Sequence, residues 1–549
     1  MPQAETKRTP VLIVGGGPVG MNLALNLDAL GVPCTVVNTE PRTRWHPKGS
    51  TQNTRTMEHY RRLGLARKIR ALGLPPEYPT DVGYFTRLNG WEISRVVMPS
   101  EAEKQRRLAH VAASDQVPEP ILRCNQMYVE TFLFDHLKTI ANIELRFGWR
   151  TVEWTQHADR VAATIEEVAT GRRENYTCAF LVGCDGGQGE VRRSLGIRYG
   201  GESTREQAYL GRTMVATHAR APDFYQTIAH KPCWQFWTIN PEFRTNIISL
   251  NGKDEFLMNS QQDEPDAPPD DKAIARRFLG SLGRDIPLHF LGHWCWTPGQ
   301  ALVAERYGEG RILLAGDAVH LFTPTGGFGM NTGIDDTANL GWKLAAMVQG
   351  WGGENLLASY EIERRPIGLR NTNQARELTN NVGGVPVGAA MDHDSAAGAA
   401  AREEAGKYLA DFGEEFASLG IQLGARYDQS PITVGDGSEP PRDNPFTYIP
   451  SACPGGRAPH VWLADRSSIF DKFGKGFTLL CLGNRDGAAL VAAAKLRGVP
   501  LTTVAVDDPA ARDLYERAFA LIRPDHHVAW RGDALPEDCS RLLAQVTGG

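Results

Sequence analysis

The segment that most limits the fold is a glycine-rich turn, residues 15–20, set between an apolar strand and an apolar helix. Residues 11–14 are wholly apolar and mostly β-branched, which is typical of a buried parallel strand. Apolar residues then recur at helical spacing over 21–30, and residues 34–37 form a second apolar strand. The order strand, glycine turn, helix, strand predicts a βαβ unit at the start of the chain.

This turn has the Gly-x-Gly-x-x-Gly spacing that binds a dinucleotide pyrophosphate. Glycines let the backbone approach the phosphates, and the N–H groups and dipole of the helix N-terminus favour their negative charge. We therefore predict that the pyrophosphate is bound by Gly15, Gly17, Pro18 and Gly20. The acid expected after the second strand, to bind a ribose hydroxyl, is replaced by Asn38, and the nearest acid is Glu40. Because Asn38 can donate and accept hydrogen bonds, we predict it at the ribose.

Two later apolar strands also run into loops that carry an acid. Residues 179–184 lead to Asp185, and residues 311–315 lead to Gly316 and Asp317. In open α/β sheets, ligands bind at the carboxyl ends of the parallel strands. The sequence therefore predicts a parallel sheet with Asp185 and Asp317 at its ligand-binding edge.

The domain organisation follows from length and pattern. With 549 residues the chain is too long for one core, since domains usually have ~100–200 residues. Alternating aromatic residues, as at 234–237, predict an antiparallel sheet inserted into the nucleotide-binding domain, and the Gly/Ala-rich segment 384–401 is predicted to be a mobile loop. Strands at 477–482 and 501–506 around a helix at 487–497 predict a small C-terminal α/β domain. The predicted boundaries are 1–75, 108–195 and 298–375 for the nucleotide-binding domain, 76–107 and 196–297 for a substrate domain, 376–429 for a helical segment, 430–456 for a linker and 457–549 for the C-terminal domain.

Charge and cysteine content bear on partners and compartment. The net charge of -5, from 59 basic and 64 acidic residues, argues against a nucleic-acid or anionic-membrane partner. The nine cysteines are scattered, which argues against a disulfide framework, a thiol redox pair and a zinc ribbon. No apolar run reaches membrane-spanning length. We expect a cytoplasmic protein with no metal site and no membrane span, and leave a homodimer open.

Several longer stretches carry the motifs of a known family. Residues 184–192 resemble the "DG" motif of the flavoprotein aromatic hydroxylases, and residues 311–320 resemble their "GD" motif, which continues through 324–344. Residues 454–460 and 523–531 resemble the thioredoxin-like domain of larger phenol and chlorophenol hydroxylases. The resemblance covers nearly the whole chain. It implies a Rossmann-like FAD-binding domain with an inserted antiparallel-sheet substrate domain, a C-terminal thioredoxin-like α/β domain, FAD as cofactor, and NADPH or NADH as co-substrate.

The resemblance also implies roles for individual residues. Asp317 would accept hydrogen bonds from the ribityl hydroxyls, and the glycines of 326–329 would let the backbone lie against the isoalloxazine edge. Backbone N–H groups there would stabilise negative charge on the reduced flavin. Gly189 stands where the family has a serine. Within a basic cluster, either Arg44 or Lys48 is predicted to contact the flavin, the alternative being a solvated loop. The other residues assigned to the cofactor are Gln126, Asp185, Pro324, Gly327, Gly329, Met330 and Asn331.

The implied reaction is hydroxylation of a small phenolic ring, ortho or para to its oxygen. NAD(P)H would reduce the flavin, and a flavin hydroperoxide formed with dioxygen would transfer oxygen to the ring. A base near the phenol would assist. Relatives have an Asp or His five residues before the arginine corresponding to Arg55, where this chain has Ser50, which cannot serve as a base at neutral pH. The catalytic base is left unassigned among His46, Tyr84, His218, His230 and His289.

Two other functions stay open on this evidence. A Baeyer–Villiger or epoxidising oxygenase with the same fold would need no phenol base, so Ser50 does not exclude it. A binding protein without redox activity would keep the first glycine turn but would not need an intact flavin-edge loop, residues 326–331. That loop is intact, which favours the hydroxylase. A polyketide-sized substrate also stays open.

Overall fold

The largest sheet carries the glycine turn. The structure is a computed structural model and describes residues 6–203, 213–262, 264, 267–296, 300–410, 413–416, 418–483 and 485–549. In spatial order, the main strands of this sheet are Gly308–Glu309, Ile312–Leu314, Arg173–Gly183, Lys7–Val14, Cys34–Asn38 and Ile143–Phe147. The last five pair in parallel, and a hairpin, Trp149–Gln156 and Val161–Glu167, runs antiparallel into Arg173–Gly183.

The strand register brings the predicted ligand-binding loops, which follow Val14, Gly183 and Leu314, next to each other. Val14 pairs with Gly183, and Gly183 pairs with Leu314. The three strands therefore end side by side, and the loops that follow them open at one edge of the sheet. The parallel sheet predicted from the apolar runs is confirmed.

Two long helices pack together against this sheet. Pro18–Ala29 begins at the glycine turn, and Gly329–Gln349 begins at the flavin-edge loop. All side chains from Val19 to Leu27 and from Asn331 to Ala346 are buried, because each helix is covered on every side. The other helices around the sheet are Thr54–Arg62, Ala66–Arg70, Gln126–Leu137, Glu190–Ser194 and Ala358–Gly383.

A second sheet has seven strands. Its order is His289–Trp296, Met214–Arg220, Glu255–Gln261, Arg244–Ser249, Gln235–Ile239, Val82–Phe85 and Glu92–Val96. The predicted antiparallel sheet is confirmed except for one pair, since Val82–Phe85 and Gln235–Ile239 run parallel. This exception arises because those strands come from distant parts of the chain and are joined by no hairpin. The associated helices are Glu101–Leu108, Phe224–Thr227 and Asp271–Leu282.

The C-terminal domain has the predicted thioredoxin-like α/β architecture. Its strand order is Leu501–Val506, Phe477–Leu482, Phe519–Ile522 and Val528–Gly532, and its helices are Ala488–Arg497, Pro509–Tyr515 and Cys539–Val546. Phe477 packs edge-on against Trp342 at 5.7 Å between ring centroids, in a shared apolar cluster. The domain is therefore seated directly on the helix Gly329–Gln349.

The connecting segments complete the fold. The predicted mobile loop 384–401 is wrong for its second part, where a helix, Ala396–Leu409, begins. Two further helices, Gly413–Phe416 and Leu419–Leu423, precede the C-terminal domain. Small sheets are formed by Thr51–Gln52 with Leu122–Arg123, and by Tyr199–Ser203, Gln300–Ala304 and His320–Leu321. The exact domain boundaries stay a prediction. Across the described ranges, no helix has both the length and the apolar character needed to cross a bilayer.

Candidate active site

Three glycines of the turn differ in what surrounds them. A methyl group on Gly15, whose φ is +111°, would overlap the carbonyl oxygen of Cys184, and one on Gly20 would overlap the carbonyl oxygen of Gly15. These glycines are needed for the turn itself. At Gly17, by contrast, an added methyl group would meet no described protein atom within 4 Å. Gly17 is also the N-cap of helix Pro18–Ala29 and provides no side-chain cap, so the open space adjoins the helix N-terminus and suits an anionic group.

Asn38 has a structural role that the sequence did not indicate. Its Oδ1 accepts a hydrogen bond from the Gly16 N–H at 3.0 Å, and its Nδ2 donates to the Glu40 carbonyl oxygen at 3.1 Å. Asn38 thereby fastens the end of its strand to the glycine turn. Arg44 is largely exposed and pairs with the Glu40 carboxylate. The contacts of Asn38 with a ribose and of Arg44 with the flavin stay predictions.

Asp185 lies directly beside the glycine turn. One carboxylate oxygen, Oδ2, accepts the Val191 N–H at 3.0 Å, whereas the buried Oδ1 has no hydrogen-bond partner among the described residues. Burial raises the pKa of this carboxyl group. A methyl group on Gly189 would overlap Asp185 Oδ1, so glycine in place of the family's serine leaves room for this carboxylate. An unmatched acceptor at this edge fits a donor group of a bound nucleotide.

Asp317 is exposed and lines a cavity together with Pro324 and Gly327. Asp336 holds the backbone of this turn in place. Its Oδ2 accepts the Gly316 N–H at 3.2 Å and also lies 2.7 Å from His320 Nε2. A carboxylate held at the sheet edge and open to a cavity can accept hydrogen bonds from polyol hydroxyls.

Asn331 ties the flavin-edge loop to the neighbouring chain. Its Nδ2 donates to the carbonyl oxygens of Thr51 at 3.0 Å and of Gly327 at 2.6 Å. Its Oδ1 accepts the Asn53 N–H at 2.9 Å. The loop therefore has one defined conformation at the start of helix Gly329–Gln349, with half-buried Met330 in the first turn.

Gln126 occupies a comparable position at the start of another helix. Its backbone N–H donates to the Gly49 carbonyl oxygen at 2.8 Å, and its Nε2 donates to Glu130 Oε1 at 2.5 Å. Burial raises the pKa of Glu130. Gln126 thus anchors the segment that carries Lys48 and Ser50, and its predicted contact with FAD stays a prediction.

A cavity of about 500 Å³ separates the flavin-edge loop from the seven-stranded sheet. On the sheet side, the strand register places five cavity-lining side chains in one row across five neighbouring strands. The row consists of Trp237, Asn246, Asn259, Ala216 and Trp294. Two carboxamides therefore lie between two indoles, a surface that suits a flat aromatic ligand with a polar edge.

Hydrogen bonds fix the orientation of the side-chain amides of Gln235 and Asn246. Gln235 Oε1 accepts from Trp237 Nε1 at 2.9 Å and from Asn246 Nδ2 at 2.8 Å. Because an indole nitrogen can only donate, the oxygen of Gln235 must face it, and the nitrogen of Asn246 must face that oxygen. Asn246 Oδ1 then has no partner among the described residues, although it is buried. A ligand or water donor would satisfy it.

Of the five candidate bases, His46 lines this cavity. Ser50 lines it as well. Ser50 Oγ accepts a hydrogen bond from Asn125 Nδ2 at 2.9 Å. His46 stacks on Trp294 with 3.7 Å between ring centroids. Burial, with the nearby charges of Lys48 and Arg44, lowers the pKa of His46 to about 4. His46 is therefore a neutral and weak base at neutral pH.

The remaining candidates lie elsewhere, in the seven-stranded sheet or, for His230, in the segment that precedes the strand Gln235–Ile239. His218 Nε2 lies 3.2 Å from Glu255 Oε2, and His230 Nε2 lies 3.0 Å from the Gly90 carbonyl oxygen. Tyr84 is buried against Trp237, and His289 is exposed. Sequence reasoning missed Asn246, Gln235 and Asn259, and the only signal for them is polar residues alternating with apolar ones along their strands.

Two family models match the chain. One, described as the FAD binding domain, matches residues 8–375, and the other, described as the C-terminal domain of aromatic-ring hydroxylases, matches residues 451–549. The chain belongs to the FAD-dependent aromatic hydroxylases. The family predicted from the sequence motifs is confirmed, FAD is its cofactor, and the chain is a flavoprotein monooxygenase.

Individual members of the family resemble the whole chain. An FAD-dependent monooxygenase of Emericella nidulans is 30% identical over 100% of this chain and 92% of its own length. The 2,4-dichlorophenol 6-monooxygenase of Delftia acidovorans is 28% identical over 99% of both chains. A solved structure of RebC with bound 7-carboxy-K252c is 34% identical, with a TM-score of 0.88 over 99% of this chain and 100% of that one. The resemblance thus includes both the cavity and the C-terminal domain.

Proposed function

We propose that this hydroxylase adds one oxygen atom from dioxygen to a phenol-like aromatic ring, using NADPH or NADH as the reductant. The observation that carries the proposal is a single cavity with two different walls. One wall is the flavin-edge loop with Asp317, and the other is the row of amides between Trp237 and Trp294. A flavin and a flat aromatic substrate can therefore meet in one cavity.

The residues of the flavin wall have separate tasks in this proposal. Bound FAD supplies the redox chemistry and the transfer of oxygen. Asp317 accepts hydrogen bonds from the ribityl chain, and the open side of Gly17 accommodates the pyrophosphate. The N–H groups at the start of helix Gly329–Gln349 stabilise negative charge on the reduced ring, since no side chain caps them. The buried Asn331 holds this loop in place.

The substrate wall favours a flat ring that carries a hydrogen-bond donor. The indole of Trp237, which is paired across the sheet with Asn246, packs against the ring, and Asn246 Oδ1 accepts a hydrogen bond from the hydroxyl group of the neutral phenol. A phenol offers such a donor, and a relative of full length is named for its action on 2,4-dichlorophenol. The cavity volume of about 500 Å³ lies within the usual range for small-molecule sites.

Ionisation of the phenol does not depend on a carboxylate in this cavity. Ser50 replaces the ionisable residue of relatives, and His46 is a weak base. Lys48 lines the same cavity, and its positive charge favours the phenolate over the phenol. We propose that the phenol binds in its neutral form, that water or His46 then takes the proton of its hydroxyl group, and that Lys48 stabilises the resulting anion.

The test is the source and position of the new oxygen. Purified enzyme with bound FAD is given NADPH or NADH, ¹⁸O-labelled dioxygen and a panel of phenols. We expect faster oxidation of the nicotinamide, a product heavier by one labelled oxygen in mass spectrometry, and a hydroxyl group ortho or para to the first. The same panel with the hydroxyl groups methylated is the control, because an ether cannot ionise or donate to Asn246.

Two outcomes would contradict this proposal. Conversion of ketones to esters, with phenols inert, would show that the protein is a Baeyer–Villiger oxygenase instead. Faster oxidation of the nicotinamide with no oxygenated product, across the whole panel, would show that phenols are effectors and not substrates.

Substitution of Asp317 by alanine tests the ribityl site. The change removes a carboxylate that faces the cavity and leaves the ribityl hydroxyls without their acceptor. Losing a charge-assisted hydrogen bond costs ~1.5–3 kcal/mol, so FAD affinity should fall about 10- to 100-fold in a titration followed by flavin fluorescence. Glu305→Ala is the control, since this acid is exposed and pairs with Arg198. Equal affinity in Asp317→Ala and the control would show that Asp317 does not bind FAD.

A further inference from the structure

A series of buried ion pairs begins in the C-terminal domain and ends in helix Gly329–Gln349. Arg457 holds Glu58 with two nitrogens, Nε to Oε2 at 3.0 Å and Nη2 to Oε1 at 2.5 Å. Glu58 Oε2 also accepts from Arg55 Nη1 at 3.1 Å, and Arg55 Nε donates to Asp335 Oδ1 at 3.3 Å. The side chains of Arg457, Glu58 and Arg55 are at most 6% exposed. Four residues thus connect the C-terminal domain with helix Gly329–Gln349.

The far end of this series of ion pairs holds both segments of the flavin wall, the flavin-edge loop and the turn that carries Asp317. Asp335 lies six residues after Gly329, which is ~9 Å along the helix from the flavin-edge loop. Arg364 binds Asp335 through Nη1 and Asp336 through Nε at 2.8 Å. Asp336 in turn accepts the N–H of Gly316, which precedes Asp317. The position of Asp335 and Asp336 therefore sets the position of the two segments that form the flavin wall, the flavin-edge loop and the turn that carries Asp317.

The arginines and acids of this cluster are equal in number. Three arginines, Arg55, Arg364 and Arg457, contact three acids, Glu58, Asp335 and Asp336, and His320 also contacts Asp336. His59 also contacts Asp335, and burial lowers the pKa of His59 to about 4, so it adds no charge at neutral pH. Removal of one charge leaves a net charge in a poorly solvated interior, where it acts over a longer distance than at the surface.

We propose that Arg457 of the C-terminal domain is a positioning residue for FAD, acting through Glu58, Arg55 and Asp335. It neutralises Glu58, which leaves Arg55 available to hold Asp335. Without Arg457, Arg55 is drawn to Glu58 and away from its 3.3 Å contact with Asp335, and the helix below the flavin becomes net negative. The C-terminal domain then tunes the flavin electrostatically. This inference rests on FAD binding alone and not on the proposed substrate.

The experiment compares two substitutions of opposite charge in the holoenzyme. Arg457→Gln removes a cation from the cluster, whereas Glu58→Gln removes an anion. Because reduction adds negative charge to the flavin, the midpoint potential of bound FAD should become more negative in Arg457→Gln and more positive in Glu58→Gln. The potential is measured by equilibration with reference dyes, and the melting temperature of each variant is measured in parallel.

Arg531→Gln is the matched control. Arg531 is a buried arginine of the same domain, and it pairs with Asp436 and Glu516, each at 2.8 Å. Arg531 and these two acids stand outside the cluster of ion pairs that reaches helix Gly329–Gln349. The substitution should lower the melting temperature and leave the potential at the wild-type value. Arg457→Lys keeps the charge, so it should stay closer to the wild-type potential than Arg457→Gln does.

Opposite shifts of the potential in the two cluster variants support the proposal. Shifts of the same sign, or a wild-type potential in both variants despite lower melting temperatures, would overturn it and leave Arg457 with a purely structural role. If Arg457→Gln does not fold, Glu58→Gln decides: a positive shift, with Arg457→Lys near the wild-type potential, supports the proposal, and its absence overturns it.

Discussion

Gly15→Ala should prevent the protein from holding FAD and from reaching normal stability. The backbone at Gly15 has a φ of +111°, and an added methyl group would overlap the carbonyl oxygen of Cys184, the residue that follows the neighbouring strand Arg173–Gly183. Strain at such a φ and forced displacement of a central strand each cost ~1–3 kcal/mol, so the total loss is on the order of 4 kcal/mol. Denaturant unfolding of the apoprotein measures this loss, because it is a property of the turn and not of the cofactor.

Gly17→Ala should behave in the opposite way, although it lies two residues further on. No described protein atom lies within 4 Å of the new methyl group, so the apoprotein should unfold at the wild-type denaturant concentration. The methyl group would instead occupy space that we assign to the pyrophosphate, and FAD affinity should fall by about 10-fold or more. Wild-type FAD affinity in Gly17→Ala would show that the pyrophosphate does not lie on this side of the turn.

The contrast between these glycines shows what the sequence could predict. The turn, both flanking strands and the two acid-bearing loops follow a local pattern, since strand, turn and helix signals lie within a few residues of each other. The structure places the ends of three strands side by side, as expected for a parallel sheet. The finer difference, that Gly15 is needed for folding and Gly17 leaves open space, depends on Cys184, which is distant in sequence.

The substrate wall could not be predicted in the same way. Alternation along a strand shows which residues share a face, but not which strands are neighbours or in what register. Trp237, Asn246 and Trp294 form one row only because separate segments of the chain pair as they do. The sequence offers no reason to prefer Asn246 over other buried asparagines as a cavity-lining residue with an unmatched oxygen.

One local prediction was wrong, and one pattern of burial was not predicted, each for an identifiable reason. The segment from Gly384 contains many alanines, which are good helix formers, and Ser395 caps a helix there by accepting the Gly398 N–H at 3.1 Å. Helix Thr54–Arg62 has charged residues such as Arg55 and Glu58 that are typical of a solvated surface. They are buried because the C-terminal domain covers them with Arg457, a tertiary contact across some 400 residues of sequence.

Glu363→Gln should cause a large loss of stability through the interface with the C-terminal domain. The Glu363 carboxylate accepts from Arg523 Nη1 at 2.7 Å and Nη2 at 2.8 Å and from Lys343 Nζ at 2.6 Å, and all three side chains are fully buried. Removing one partner of a buried ion pair leaves an uncompensated charge and costs ~3–5 kcal/mol. Glu361→Gln, on the same helix, is the control, because it retains an oxygen to accept the Tyr307 N–H and should change stability by less than ~1 kcal/mol.

The pH dependence of this loss separates the ionic contribution from a packing defect. Although burial alone would raise it, the charges of Arg523 and Lys343 hold the pKa of Glu363 well below its ordinary value of 4.5. Below pH 4.5 the unfolded chain therefore takes up a proton that the folded chain does not, and the stabilisation by Glu363 declines as the pH falls towards its folded-state pKa. The unfolding free energies of wild type and Glu363→Gln should thus differ most above pH 4.5 and approach each other in acid, as measured by denaturant unfolding between pH 7 and pH 3. A difference that stays constant over this range would mean that Glu363 stabilises the interface by its shape and not by its charge.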